Sequence, residues 1–262
     1  MAFRVVLVAS LTVALLFLAV PVVAVFANTS PGTLLDSLGD ASARDALSLS
    51  LRTSLLALAI IVAVGTPAAY LLATRRFRGR DVAITLVELP LVLPPAVAGI
   101  ALLASVGPAG ILGPALDSAG IELALQTAGV VVALTFVASP FYIRQAQAAF
   151  AAVDPAIVDA SRTLGATEAR TFARVVVPNA LGGLLAGGAL AFGRALGEFG
   201  ATLMFAGSFE GITQTAPLAI YERFATDFDA ALALSAVLVA ASASLLLSVK
   251  LLGAGAVGRG AY

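Results

Sequence analysis

DPAIVDASRTLGATEARTFARVVVP, residues 154–178, is the stretch that most narrows the fold of this chain. Apolar and polar residues are mixed along it at helical spacing, and the glycine and serine of flexible linkers are few. Asp154 followed by Pro155 is typical of a helix N-terminus, where aspartate caps and proline occupies the first turn. Gly165 predicts the end of that helix in a left-handed conformation, with a second short helix from about Thr167. The stretch predicts a helix–turn–helix hairpin, and a solvated connector is the alternative.

Long apolar runs lie on both sides of this hairpin. Hydrophobic residues make up 60% of the 262 residues and charged residues 11%, whereas soluble domains carry about 25% charged residues. Six runs approach or exceed the about 20 residues that a helix needs to cross a bilayer, and they lack the alternation of barrel strands. The runs cover residues 5–27, 47–73, 82–106, 123–143, 180–206 and 230–249. We therefore predict an all-α membrane protein with six transmembrane helices.

Basic residues are concentrated on one side of this six-span arrangement. Eleven of the 15 lie there, namely Arg4, Arg75, Arg76, Arg78, Arg80, Arg144, Arg162, Arg170, Arg174, Lys250 and Arg259. The opposite side has only Arg44 and Arg223, among nine acidic residues. By the positive-inside rule, both termini are expected in the cytoplasm.

The hairpin carries a motif that resembles the coupling-loop signature of ABC importer permeases. The family pattern is Glu-Ala-Ala, three residues, Gly, nine residues, Ile, one residue and Leu-Pro. Here Asp159-Ala160-Ser161, Gly165, Val175 and Val177-Pro178 keep that spacing at every step, with Asp for Glu, Ser for Ala, and Val for both Ile and Leu. In that family the segment docks into a cleft on a cytoplasmic ATPase. The resemblance implies ATPase-coupling roles for Asp159, Ala160, Ser161, Arg162, Gly165, Glu168, Val175 and Pro178. Ion pairing by Arg162, Glu168 or Arg170 is one way to fix the docked orientation.

Two flanking segments are similar to molybdate, tungstate and sulfate permeases. They are LPLVLPPAVAG at 89–99, and ALGEFGAT at 195–202 followed by QTAPLAIY at 214–221. The Gly-Glu-Phe-Gly-Ala form with MFAG at 204–207 looks nearer to the molybdate/tungstate branch, and a sulfate or thiosulfate permease is the alternative. The resemblance implies a type I ABC importer permease fold and a homodimer of this chain. It also implies two cytoplasmic ABC ATPase subunits, which bind the ATP and Mg, and an extracytoplasmic oxyanion-binding protein.

This resemblance divides the chain into three parts. Residues 1–46 are expected to form the first transmembrane helix and an external loop. Residues 47–252 form the permease core, with the coupling loop at 144–178, and residues 253–262 form a cytoplasmic tail. The first apolar run is longer than the about 7–15 residues of a signal-peptide core, so we expect it to be retained.

Polar and helix-breaking residues inside the apolar runs indicate a substrate path. Prolines at 90, 94 and 95 predict a broken or kinked helix, which either lines the path or is structural. Arg194 and Glu198 lie four residues apart, so a mutual ion pair is favoured over an oxyanion site on Arg194. Weak hydroxyl contacts suit an ion that must be released. The pathway candidates are Pro94, Pro95, Ser139, Arg194, Glu198 and Thr202, with Thr135 as a further hydroxyl.

Two other features of the sequence lead to expectations about position and packing. Glu88 and Arg52 are expected to reach the headgroups from the ends of their helices. The glycine pairs at 183 and 187 and at 193 and 197 predict close helix contact, either as internal packing or as the dimer seam.

Several function classes lack the residues that they need. The chain has no cysteine or histidine, which excludes thiolate chemistry, His-ligated metal and histidine-dependent triads. It has no Walker loop, so ATP hydrolysis is expected from a partner, and no catalytic residue, metal or nucleic acid is expected here. An intramembrane enzyme would need paired intramembrane aspartates or similar groups. A secondary transporter or channel is the other alternative, but no internal repeat is visible and the coupling motif would have no use.

Overall fold

The computed structural model describes residues 2–257, and the side-chain surroundings of residues 2–248. Within those residues every regular element is a helix, so the predicted all-α class is confirmed. The helices are α1 (Ala2–Ala27), α2 (Pro31–Gly39), α3 (Ala41–Thr74), α4 (Arg80–Val92), α5 (Pro95–Val106), α6 (Gly113–Ser118), α7 (Thr127–Ala151), α8 (Pro155–Thr163), α9 (Glu168–Thr171), a π-helix (Phe172–Val176), α10 (Val177–Leu196), α11 (Gly200–Ala206), α12 (Ala216–Phe224) and α13 (Phe228–Val257). The end of the predicted tail, with Arg259, lies outside the described residues.

Five helical segments are long and apolar enough to cross a membrane. They are Ala2–Ala27, Ala41–Thr74, Thr127–Ala151, Glu168–Leu196 and Phe228–Ser248. They correspond to five of the six predicted runs. The remaining run, residues 82–106, is divided into α4 and α5, each of which is too short to cross alone. The sixth crossing therefore stays a prediction.

The break between α4 and α5 follows from its prolines. Leu93 is extended, with ψ of 131°, as is usual for a residue that precedes a proline. Pro95 occupies the first turn of α5, where its missing N–H costs nothing. Pro90, in contrast, is accommodated inside α4. The predicted interruption of this span is confirmed.

Two helix boundaries differ from the sequence prediction. α7 continues to Ala151, so the first eight residues of the predicted coupling loop are helical, with Phe150 buried in the bundle. The run at 180–206 is interrupted, because α10 ends at Leu196 and α11 begins at Gly200. The chain thus contains two interrupted spans, and only the first was expected.

The bundle core lies where α7 packs between α3 and α10. Ile61 of α3, Leu134 of α7 and Leu184 of α10 belong to one buried apolar cluster. Close approach of α10 to α7 depends on glycine, because a Cβ on Gly183 would stand 2.4 Å from Cβ of Ala149. A Cβ on Gly187 would likewise stand 3.0 Å from that of Gln145. This pair therefore serves packing inside the subunit, the first of the two expectations for it.

At the end of the bundle remote from the hairpin, hydrogen bonds join α3 to α12. Asp40 caps α3 by accepting from the backbone N of Ser42 at 3.1 Å, and its carboxylate pairs with Arg223. The hydrogen bond from Arg223 lowers the pKa of Asp40 below its ordinary value of 3.8. Ser50 Oγ accepts from the backbone N of Ala216 at 2.7 Å. These contacts fix the start of α3 against both ends of α12.

Candidate functional site

The hairpin between α7 and α10 forms as its local chemistry predicts. Asp154 Oδ1 accepts from the backbone N of Ala156 at 2.9 Å, and Pro155 begins α8. Gly165 has φ of 82°, a left-handed conformation that side chains disfavour, and its N–H bonds the carbonyl of Arg162 at 2.9 Å. Thr167 then caps α9. The predicted helix–turn–helix is confirmed.

Ion pairs hold the two arms of the hairpin together. Arg162 donates to both carboxylate oxygens of Glu168, at 2.9 and 3.1 Å, and to Asp159 Oδ1 at 3.0 Å. These two carboxylates raise the pKa of Arg162. Ser161 and Thr171 share a hydroxyl hydrogen bond of 3.0 Å across the same seam. Four residues predicted from the sequence are thus brought together: Asp159, Ser161, Arg162 and Glu168. The three charged ones pair with each other within the hairpin. Thr171 was not predicted.

An aromatic cluster anchors the base of the hairpin to the bundle. The ring of Tyr70, from α3, lies 5.5 Å from that of Phe150 and 4.7 Å from that of Phe172. A cavity of about 360 Å³ adjoins it, bounded by Asp159 and Arg162 on the hairpin side. The base of the hairpin is therefore packed directly against α3 and the end of α7. Sequence reasoning missed this cluster because its three rings come from distant segments.

The motif ends in a π-helical turn. Val175 lies within it and Pro178 in the first turn of α10, and the wide turn is closed by the bond from Val177 N to the carbonyl of Phe172. Pro178 has no N–H to donate. Asn179 Nδ2 donates to the Val175 carbonyl at 2.7 Å. Wide turns of this kind occur often at functional sites.

A second candidate site lies where the two interrupted spans meet. A Cβ on Gly200 would stand 2.7 Å from Cβ of Pro95, and one on Gly99 would stand 2.6 Å from Cβ of Met204. The second halves of both spans, α5 and α11, therefore pack together immediately beyond their breaks. Pro94 begins one of these halves as its N-cap.

Glu198 spans the break between α10 and α11. Its Oε2 lies 2.6 Å from Arg194 Nη2, and its Oε1 accepts from the backbone N of Ala201 at 2.7 Å. The Glu198 side chain is 1% exposed and that of Arg194 is 27% exposed. The expected mutual pair is present, and it has the added function of capping α11. In the sequence, this break is marked by a glutamate that lies between Gly197 and Gly200.

The hydroxyl candidates differ in their surroundings. Thr202 is fully buried on α11, and its hydroxyl, like that of Thr135, has no hydrogen-bond partner among the described residues. Ser139 Oγ donates to the carbonyl of Phe136 at 3.3 Å. Elsewhere Glu88 pairs with Arg144 at 2.9 Å and so joins α4 to α7. Its expected approach to the headgroups stays a prediction.

Comparison with known proteins gives a consistent result. Residues 65–255 match the family described as binding-protein-dependent transport system inner membrane component. The molybdenum transport system permease protein ModB of Mycobacterium tuberculosis is 44% identical over 239 residues, which cover 90% of this chain and 89% of that protein. A probable molybdenum ABC transporter permease of Haloferax volcanii is 41% identical, covering 92% and 87%. The sulfate transport system permease protein CysT of Escherichia coli is 38% identical, covering 70% and 67%.

Two solved structures share the fold. A bacterial ABC transporter involved in the import of the acidic polysaccharide alginate superposes with a TM-score of 0.76 at 17% identity, covering 96% of this chain and 94% of that chain. The MetNI methionine ABC transporter, in inward-facing conformations, superposes with a TM-score of 0.61 at 17% identity, covering 82% and 94%. At such identities the likeness shows the fold alone, and that fold is the type I ABC importer permease fold.

Proposed function

Because this chain belongs to the family of binding-protein-dependent transport system inner membrane components, we propose that it is the permease subunit of an ABC importer for molybdate or tungstate. The observation that carries the proposal is the 44% identity to the mycobacterial molybdenum permease along 90% of this chain. The sulfate permease is the second candidate, since it is 38% identical over 70% of the chain. The greater identity and coverage of the mycobacterial and Haloferax molybdenum permeases favour the molybdenum oxyanion.

The chain is a multi-pass protein of the inner membrane, and six crossings with both termini in the cytoplasm fit its charges. α4 and α5 together would supply the third crossing. Arg75, Arg76 and Arg78 at the end of α3 then lie on the same side as the hairpin, while Asp40 and Arg223 lie outside. The positive-inside rule supports this orientation.

The hairpin of α8 and α9 is the docking element for a cytoplasmic ATPase. Its geometry supports this role in two ways: the arms are joined by Arg162 and Glu168, and the tip exposes an apolar side chain. Leu164 is 88% exposed at the corner, where it is suited to enter an apolar cleft on a partner. Val175 and Pro178 at the π-helical turn, with the aromatic cluster of Tyr70, Phe150 and Phe172, connect the docked hairpin to α3, α7 and α10.

The complete importer contains two copies of this chain, two ATPase subunits and an extracytoplasmic oxyanion-binding protein. ATP and Mg bind the ATPase subunits, because this chain has no Walker loop of its own. ATP binding closes the ATPases, draws the paired hairpins together and opens the path outward. The chain itself is therefore a permease subunit and not an enzyme.

The path for the oxyanion passes the contact between the two interrupted spans. Arg194 is neutralised by Glu198, so it offers no strong fixed charge that would retain a dianion. Buried hydroxyls such as Thr202 and Thr135 are available for weaker contacts when the helices separate. Pro94, Pro95 and Ser139 are the remaining candidates for the lining.

Uptake in proteoliposomes tests this function. The chain is reconstituted with its ATPase and binding protein, and radiolabelled molybdate uptake is measured with and without internal ATP. We expect ATP-dependent uptake that excess tungstate suppresses and excess sulfate does not. Suppression by sulfate to the same extent would move the protein to the sulfate branch. Uptake that proceeds equally without ATP would contradict the ABC mechanism and support a secondary transporter or channel.

A further inference from the structure

The loop that joins α3 to α4 is strongly basic and mostly exposed. Its sequence RRFRG runs from Arg75 to Gly79 and is followed by Arg80, the first residue of α4. Four arginines therefore lie within six consecutive residues, and Asp81 is the only adjacent acid. Phe77, in the middle of the loop, is 41% exposed.

The arginines of this loop have different surroundings. Arg80 Nε donates to the carbonyl of Leu72 at 2.9 Å, so this side chain folds back on the last turns of α3. Arg76 and Arg78 make no ion pair with any side chain of residues 2–248. Gly79, with φ of 86°, turns the chain so that the loop encloses an open cavity of about 560 Å³. That cavity is lined by Arg76, Phe77, Gly79, Arg80, Asp81 and Val82.

We propose that this cavity binds the phosphate headgroup of an anionic membrane lipid. Arginine pairs with phosphate oxygens through its planar fork of donors, and basic clusters next to a transmembrane helix attract anionic lipids. An exposed apolar ring between the arginines can enter the boundary between headgroups and acyl chains. Arg76 supplies charge from the lining of the cavity, and Arg78 adds charge from the same loop outside that lining. Arg80 holds the cavity to α3, and Phe77 is inserted beside the acyl chains.

The length of the loop favours lipid over a protein partner. Only five residues separate Thr74 from Arg80, and a chain of five residues spans at most about 17 Å, so it folds back within about 8 Å of the helix ends. The polar headgroup layer on each side of a bilayer is about 5–7 Å thick. The loop therefore stays close to the ends of α3 and α4, and because the apolar run of α3 ends at residue 73, we expect the loop next to the headgroup layer. The segment that carries the hairpin of α8 and α9, in contrast, extends over residues 152–176.

Lipid retention by the purified full chain tests the proposal. The protein is extracted from nanodiscs that contain equal amounts of phosphatidylglycerol and phosphatidylcholine, and bound lipids are counted by native mass spectrometry. Each arginine is expected to raise the affinity for an anionic lipid about fivefold. The double variant Arg76→Gln/Arg78→Gln should therefore bind phosphatidylglycerol about 25-fold more weakly. The matched control Arg170→Gln/Arg174→Gln removes the same charge from two exposed arginines of the hairpin segment and should retain phosphatidylglycerol as the wild type does.

Three outcomes would overturn the proposal. Unchanged retention by the Arg76/Arg78 double variant would show that the loop does not hold the lipid. Equal loss in the control variant would show an effect of net charge alone. If the Arg76/Arg78 double variant retained the lipid but no longer copurified with the ATPase, the loop would belong to a protein interface.

Discussion

Pro95 and Gly200 lie in direct contact, so the two points at which the interrupted spans resume are packed against each other. A Cβ added to Gly200 would stand 2.7 Å from Cβ of Pro95, closer than real side chains approach. Residues more than a hundred positions apart therefore hold the starts of α5 and α11 against each other. Any opening of a path along either span changes this contact.

Replacement of Gly200 by alanine should disturb this contact. Its methyl group would force α11 away from α5, at a cost of about 1–3 kcal/mol for overpacking. We expect a lower midpoint of thermal unfolding in detergent and reduced uptake. Gly193→Ala is the matched control, because a Cβ there meets no atom within 4 Å. Equal behaviour of the two variants would contradict the contact.

Removal of the Glu198 carboxylate should be more damaging. Glu198→Ala leaves Arg194 without its partner and the N–H of Ala201 without its acceptor, and breaking a buried pair costs roughly 3–5 kcal/mol. Glu198→Gln keeps an acceptor for Ala201 and should lose less stability.

The exposed pair of Glu88 and Arg144 provides the comparison for this prediction. Its side chains are 39% and 46% exposed, so Glu88→Gln should cost at most about 1 kcal/mol. Thermal unfolding of Glu198→Ala, Glu198→Gln and Glu88→Gln in the same detergent ranks their losses of stability. If Glu198→Ala were no less stable than Glu88→Gln, the cap on α11 would have no energetic role.

The features that the sequence predicted correctly have local causes. Asp154, Pro155 and Gly165 define the hairpin because capping, fixed φ and left-handed backbone are properties of single residues. The first interrupted span likewise follows from Pro94 and Pro95, which lack backbone donors. The six apolar runs gave the fold class, since bilayer thickness sets helix length.

The features that the sequence did not predict depend on distant partners. The break before Gly200 has no proline, and its stability rests on the Glu198 carboxylate and on packing against Pro95. The pair of Glu88 and Arg144 joins residues on separate helices, which periodicity cannot bring together. α7 passes the end of its apolar run because Phe150 is buried against Tyr70, a contact that only the tertiary structure makes.

The link between Asp40 and Arg223 should make stability depend on acid pH. The pKa of Asp40 is lowered in the folded chain, so its contribution is fully present above the unfolded pKa of about 3.9 and is lost as the pH falls through the folded value. Asp40→Asn keeps a capping side chain but removes the charge. This variant should lose up to about 1 kcal/mol at pH 7, as for an exposed pair, and differ less from the wild type near pH 3.

Thermal unfolding in detergent between pH 7 and pH 3 measures this effect. Asp36→Asn is the control, because Asp36 lies in the neighbouring helix α2 and forms no ion pair among residues 2–248. A difference between Asp40→Asn and the wild type that stayed constant across this range would assign the effect to capping and not to the ion pair.

Gly165→Pro should separate ATP hydrolysis from uptake. Proline cannot adopt φ of 82° and cannot donate to the carbonyl of Arg162, so the turn at the corner of the hairpin is lost. The substitution introduces strain of about 1–3 kcal/mol. We expect uptake to fall about tenfold or more while membrane insertion stays intact. Gly120→Pro is the matched control: Gly120 has φ of 70° after α6, and its N–H bonds the carbonyl of Asp117 at 2.9 Å. The control carries equal strain at the other end of the bundle and should retain the ATPase during copurification. Normal uptake by Gly165→Pro, or equal loss of the ATPase in both variants, would remove the hairpin from the coupling mechanism.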